Sequence, residues 1–337
     1  MHKGRYYISA KHGIAVILAC LLLSAASPWA QEPQPPEGEN VSFSNGTLVL
    51  EGLLYKPEGK GPFPALIFNH GSAPGMRNNK AFEQIAPHFT NRGWVFFAPY
   101  CRGQGLSESA GPFIGDEISS AQRDRLIRDI PLTTLIVIVL LVMLFRYSRN
   151  RKKWLRVVSA VTLIISGAAF SYASQMSAGA ATMVRILETD HLDDHLAALE
   201  WIRAQPFTDS NRIATGGNSF GGIVTVLATE AVPYCAAFDA AGGARSWSLA
   251  PQLRDRMKQA VRNSQSPIFF FQAANDFSIE PSNVLSSEMS GAGKEVETII
   301  YSTFGKSSAE GHSFAWRGSA VWADDVFRFL NQYCAAY

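Results

Sequence analysis

Short apolar runs alternate along this chain with longer segments of mixed polarity. Leu48–Tyr55, Ala65–Phe68, Trp94–Ala98, Arg212–Gly216, Ala236–Asp239, Pro267–Gln272 and Glu297–Tyr301 are largely apolar and follow or precede turn-forming residues. Runs of this length predict strands, most of them buried on both faces. Ala81–Arg92, Leu192–Ala204 and Ile223–Ala231 fall between them and read as helices, and Ala320–Asn331 reads as a closing helix. The alternation predicts an α/β fold with a mostly parallel central sheet flanked by helices on both faces.

One region breaks the alternation. Ile130–Phe145 contains no charged residue, Arg146–Arg156 then holds six basic residues and no acidic one, and Val157–Val184 is uncharged again. Sixteen helical residues span about 24 Å and twenty about 30 Å, against a hydrocarbon core of about 30 Å. The second segment is long enough to cross, and tilt or outward snorkelling of Arg128 closes the deficit of the first. Residues 123–187 therefore read as an inserted transmembrane helical hairpin. A hydrophobic lid over the site and a buried helical pair in a soluble insert are the alternatives. Strands before and after the insert must join one sheet, so the insert crosses the membrane an even number of times, and two spans satisfy this.

The N-terminus supports the same topology. Lys3, Arg5 and Lys11 precede an uncharged run, Ile14–Ala26, and then Pro-rich Gln31–Glu39. Residues 1–30 read as a signal peptide, cleaved after Ala26 or Ala30, or as an uncleaved N-terminal anchor. Export then places the basic loop in the cytoplasm, as the positive-inside rule requires. The expected location is a bacterial inner membrane, with the α/β domain on the periplasmic or extracellular side. That domain comprises residues 31–122 and 188–337. With 337 residues and 47% apolar composition the chain can bury one large core. Its net charge of +2 gives no reason to expect a nucleic-acid partner. Cys101, Cys235 and Cys334 permit one disulfide without choosing it.

The candidate chemistry centres on Gly216-Gly217-Asn218-Ser219-Phe220-Gly221-Gly222, between an expected strand and an expected helix. This is the context of a G-x-S-x-G nucleophile elbow, in which glycines permit the tight turn and the serine sits at a helix N-terminus. In that fold the acid and the histidine follow the serine in chain order, each after a C-terminal strand. Asp276 follows the strand Pro267–Gln272, and His312 follows Glu297–Tyr301. Asp239 is the runner-up acid, and His70 precedes the serine, the wrong order for a base. His191 and His195, four apart on a helix, have metal-pair spacing without an evident third ligand, so a solvated helix start is preferred. No metal or cofactor is expected. The oxyanion donors are assigned to the N–H of Phe220 and to that of Gly71 or Ser72. Phe113, Trp247 and Phe277 lie in loops near strand ends and read as packing.

These motifs together resemble the dienelactone hydrolase family of α/β-hydrolases. The resemblance runs through Phe63–Ser72, the R-G-x-G-x-S loop Arg102–Ser107, the helix Ala197–Ile202, the elbow, Asn275-Asp276 and Glu310–Phe314. It covers roughly 41–122 and 188–335, and 123–187 has no counterpart in the common fold. It implies the α/β-hydrolase fold and hydrolysis by a Ser219–His312–Asp276 triad. The hydrolases that name the family carry cysteine at the elbow, so lactone chemistry is not inherited by a chain with Ser219. The expected reaction is hydrolysis of a small-molecule carboxylic ester, amphiphilic or lipid-derived because the hairpin holds the catalytic mouth near a bilayer. A serine peptidase of the same fold and a non-catalytic membrane-anchored scaffold are the rival readings.

Overall fold

A computed structural model describes residues 38–73, 80–147 and 153–335. The signal or anchor expected over 1–30 lies outside the described residues, as does the centre of the basic loop, 148–152. Eight strands form one sheet: β1 (Glu39–Asn45), β2 (Leu48–Tyr55), β3 (Phe63–Asn69), β4 (Val95–Pro99), β5 (Thr208–Asn218), β6 (Ala237–Ala240), β7 (Ile268–Ala273) and β8 (Val296–Tyr301). Their spatial order is β1-β2-β4-β3-β5-β6-β7-β8. β2 is antiparallel to both its neighbours, and every pair from β4 to β8 is parallel.

Pleating sends alternate residues to opposite faces, which is why these strands read as continuous apolar runs rather than alternating ones. In β7, Phe269 and Phe271 join a cluster with Phe82, Phe89, Phe238, Trp322 and Phe327, while Ile268 and Phe270 join one with Ile223, Leu227, Leu253 and Met257. The first cluster lies under α1 (Lys80–Thr90), while α9 (Phe314–Arg317) supplies Phe314 and α10 (Ser319–Tyr333) supplies Trp322 and Phe327. The opposite face is covered by α4 (Leu192–Arg203), α5 (Phe220–Ala231) and α6 (Pro251–Asn263). α7 (Glu280–Gly291) crosses from β7 to β8.

The insert consists of two 34-residue helices, α2 (Ile114–Tyr147) and α3 (Lys153–Ile186). α2 begins ahead of residue 123, with Asp116 and Glu117 in its first turn, where the helix dipole favours acidic groups. The two run antiparallel: Arg125 Nε donates to Ser174 Oγ at 2.7 Å, and a Cβ added to Gly167 would stand 3.0 Å from Val137. Both are long and apolar enough to cross a membrane, judged by length and composition. Their apolar side chains between Ile130 and Tyr172 are largely exposed. At the base, Ile114, Ala180, Met183 and Ile186 are buried against Ile223, Trp247 and Leu253, and Gln252 Nε2 donates to Ser177 Oγ at 3.1 Å. The insert is thus rooted in the core of the α/β domain. A five-residue π turn (Leu187–His191) carries the chain from α3 into α4.

Candidate active site

β5 ends at Asn218 and α5 begins at Phe220, so Ser219 alone forms the turn. Its φ of 56° and ψ of −119° lie in a region that L-residues avoid. The turn is held by contact from below. A Cβ on Gly221 would lie 2.0 Å from the Asn69 carbonyl oxygen, and one on Gly217 would lie 2.5 Å from that of Gly221. The Ser219 N–H donates to Ala240 O at 3.1 Å, and its side chain makes no capping hydrogen bond. The hydroxyl is therefore free for chemistry, beside the unpaired N–H groups that open α5.

Asp276 stands in the turn after β7 and His312 ends the short helix α8 (Ser308–His312). His312 Nδ1 lies 2.9 Å from Asp276 Oδ1 and 3.1 Å from Oδ2, and Oδ1 also accepts the Phe277 N–H at 2.6 Å. A carboxylate accepts only, so Nδ1 carries the proton and Nε2 keeps its lone pair. Both residues are buried. Local chemistry explains the placement. Ser307 and Glu310 form a reciprocal capping box that starts α8. Asn275 clamps the two loops, its Oδ1 accepting the Phe304 N–H at 2.8 Å and its Nδ2 donating to Phe304 O and Ser307 O at 3.0 Å each. Ala240 and Ala241 line one narrow cavity with Asp276 and His312, and Ser219 is bonded to Ala240. No hydrogen bond joins Ser219 to His312 among the described residues; catalytic hydrogen bonds often close only around a substrate.

The loop after β3 carries both residues that the sequence left open as the second oxyanion donor, Gly71 and Ser72. The Gly71 N–H donates to Asn218 Oδ1 at 3.1 Å and is spent, which corrects the admission of Gly71 as a donor. Ser72 is the candidate that remains, and its buried hydroxyl oxygen has no hydrogen-bond partner among the described residues. His70 is a latch. Its Nδ1 donates to Gly71 O at 2.7 Å and its Nε2 accepts the Cys101 N–H at 3.2 Å, while burial holds its pKa below the ordinary histidine value.

Other sequence candidates have structural roles. Asp239 is buried beneath the elbow, where Oδ1 accepts the Gly242 N–H at 2.7 Å and burial pushes its pKa up to about 7. Asp276, not Asp239, holds His312. His191 and His195 do not form a solvated helix start: both are buried, and burial pushes their pKa values down to about 4 and about 3. His195 Nδ1 donates to Asn69 Oδ1 and its Nε2 accepts from Tyr234 Oη, both at 2.7 Å, so neither nitrogen is open to a metal. Among the described residues no group of three or more potential ligands could hold a metal ion. Trp247 is buried, as packing requires, but Phe277 is 43% exposed and its ring lies 5.4 Å from the His312 imidazole. The sequence signal for Phe277 was its position directly after the acid.

Solved structures with this fold include an acylaminoacyl peptidase from Pyrococcus horikoshii, at 15% identity and TM-score 0.56, covering 91% of this chain and 43% of that one. A puromycin-hydrolyzing peptidase from Mycobacterium tuberculosis matches at 14% identity and TM-score 0.56, covering 92% and 41%. The Pyrococcus furiosus esterase Pf2001 matches at 12% and TM-score 0.53, covering 92% and 98%. The chain therefore spans less than half the length of these peptidase chains and nearly all of the esterase. No curated protein sequence matches significantly. The family model for the dienelactone hydrolase family matches residues 50–333. The chain belongs to the dienelactone hydrolase family of α/β-hydrolases.

Proposed function

We propose that this chain is a serine esterase, anchored by α2 and α3 in a bacterial inner membrane with its site on the outer side. The observation that carries the reading is a strained, uncapped Ser219 at a helix N-terminus, in one fold with a buried Asp276–His312 pair of fixed tautomer. His312 Nε2 takes the Ser219 proton as Oγ attacks the ester carbonyl carbon. The oxyanion forms against the N–H groups of Phe220 and Ser72. Collapse breaks the bond to the alcohol, which leaves with the proton from His312. Water then attacks the acyl carbon by the same route, releasing the carboxylic acid and restoring Ser219. Asp276 stabilises the imidazolium without taking its proton.

Ester is favoured over amide because the esterase neighbour is matched over 98% of its length, against 43% for the acylaminoacyl peptidase. Export has support from Cys235 and Cys334, which form a disulfide with Cα atoms 5.1 Å apart, a linkage that persists in oxidising compartments. The direct test is labelling of intact cells and isolated membranes with a fluorophosphonate, in membrane-permeant and impermeant forms, on wild type and Ser219→Ala. Labelling of wild type by both, lost in the variant, is the expected result. Absence of labelling in folded protein supports the scaffold reading, and labelling of intact cells by the permeant form alone refutes the topology. Faster cleavage of peptide amides than of matched esters would favour the peptidase.

A further inference from the structure

Outside the two long helices, four large apolar side chains stand largely exposed among the described residues: Val49, Leu249, Phe277 and Val321. Phe277 is edge-on to His312. Arg245, itself exposed, lays its guanidinium carbon 4.7 Å from the centre of the Phe277 ring. No carboxylate among the described residues pairs with Arg245. A cation is thus held one aromatic ring away from the candidate base. The ring holds the guanidinium by a cation–π contact, and with no carboxylate partner among the described residues its N–H groups suit a carboxylate or phosphate.

The position of this rim relative to the insert gives it meaning. Arg245 and Leu249 lie in the segment that runs into α6, whose Gln252 is bonded to Ser177 of α3. Tyr172, the last large exposed apolar residue along α3, is five residues from Ser177, about 7.5 Å along the helix axis. With the apolar parts of α2 and α3 in a bilayer, the loop carrying Arg245 and Leu249 is tied to the insert at the level where the headgroups begin.

We propose that Arg245 recognises an anionic group on the substrate, and that Leu249, Phe277 and Arg245 form the edge over which an anionic, bilayer-borne ester reaches Ser219. The inference rests on the esterase reading and names the substrate class of that site. The apolar side chains meet the amphiphile's hydrocarbon, and the guanidinium meets its charged end.

The full chain, reconstituted in nanodiscs of zwitterionic lipid, would be assayed on three esters of identical acyl chain bearing a phosphate, a carboxylate or a neutral headgroup. For wild type, kcat/KM for at least one anionic ester should exceed that for the neutral one by about fivefold, carried by KM, as befits one exposed charge pair. The preferred arm identifies the anion. In Arg245→Gln the charged-to-neutral ratio should fall towards one, and Arg245→Lys should retain part of it. Fluorophosphonate labelling of Ser219 reports that each variant keeps an assembled site. A wild-type ratio of one, or a ratio unchanged in Arg245→Gln, overturns the proposal. Failure of wild type to label at Ser219 instead refutes the esterase reading, so the two failures are distinguishable.

Discussion

Replacing Ser219 by glycine should make the protein more stable than replacing it by alanine, although both changes abolish hydrolysis. Alanine keeps the Cβ and with it the strain of φ 56° and ψ −119°, whereas glycine adopts such angles freely. A residue held in a sparsely populated backbone region costs about 1–3 kcal/mol. Glycine gives back about 0.5–1 kcal/mol through its larger unfolded-state entropy. The Ser219 side chain caps nothing, so neither variant loses a capping hydrogen bond. The balance favours Ser219→Gly by about 1 kcal/mol, or about 2 °C in Tm for a domain of this size. Paired thermal melts of the two purified variants in one detergent would measure it. A glycine variant that melts at or below the alanine variant would refute the claim that the elbow stores strain, and with it the observation on which the functional reading rests most heavily.

Other consequences are equally concrete. Asp276→Asn should lower kcat on esters by about 10⁴, because the amide permits the wrong His312 tautomer; the rate of fluorophosphonate labelling should fall with it. Gly221→Ala places a methyl 2.0 Å from the Asn69 carbonyl oxygen and should cost about 3 kcal/mol or more, read as a lowered Tm or loss of folded protein. Gly291→Ala, with nothing within 4 Å, is the control and should be neutral or stabilising. His195 is held neutral by burial, with a pKa lowered from 6.5 to about 3. The unfolded chain therefore binds the extra proton first, and this contribution to stability is present above pH 6.5 and lost as pH falls towards 3. Denaturation midpoints followed from pH 7 to 4 should fall more steeply in wild type than in His195→Gln.

Much of the fold was legible because buried parallel strands write themselves as apolar runs. β2 was found at its observed bounds, and the other six expected strands lie within about four residues of theirs. β1 escaped because it is an edge strand with two inward apolar residues, Val41 and Phe43, among polar ones; the Asn45-Gly46 turn signal was present and went unused. α6 also escaped, since its inward residues Leu253, Met257, Ala260 and Val261 are spaced for a helix but interleaved with Arg, Asp, Lys and Gln. Chain order singles out Asp276 and His312, and the structure joins the two by a hydrogen bond. What sequence could not decide depends on rotamers and long-range contact. Asn218 spends the Gly71 N–H, Tyr234 and Asn69 occupy both nitrogens of His195, and Arg245 meets Phe277 across a turn and two elements. The disulfide partners lie 99 residues apart, and nothing local marks them.

The place of the insert follows from the sheet. β3 pairs with β4 on one side and β5 on the other, so the chain leaves after β4 and must return to the very centre of the sheet to deliver the elbow. Departure and return are fastened together. Arg102, just beyond β4, donates through Nε and Nη2 to Asp194 and through Nη1 to Asp190, and its own N–H reaches Asp194 Oδ2 at 2.9 Å. Asp190 ends the insert and Asp194 opens α4. Asp194 is buried, so the planar, bidentate guanidinium compensates its desolvation in a way that a lysine ammonium would not. The adjacent Cys101 N–H holds His70, and His70 holds the carbonyl of Gly71, immediately before Ser72. The R-G-x-G-x-S loop is therefore a strap that closes the insertion point and steadies the loop of His70, Gly71 and Ser72 in one stroke. Two hydrophobic helices can thus be threaded through the middle of a hydrolase without loosening the geometry at its centre.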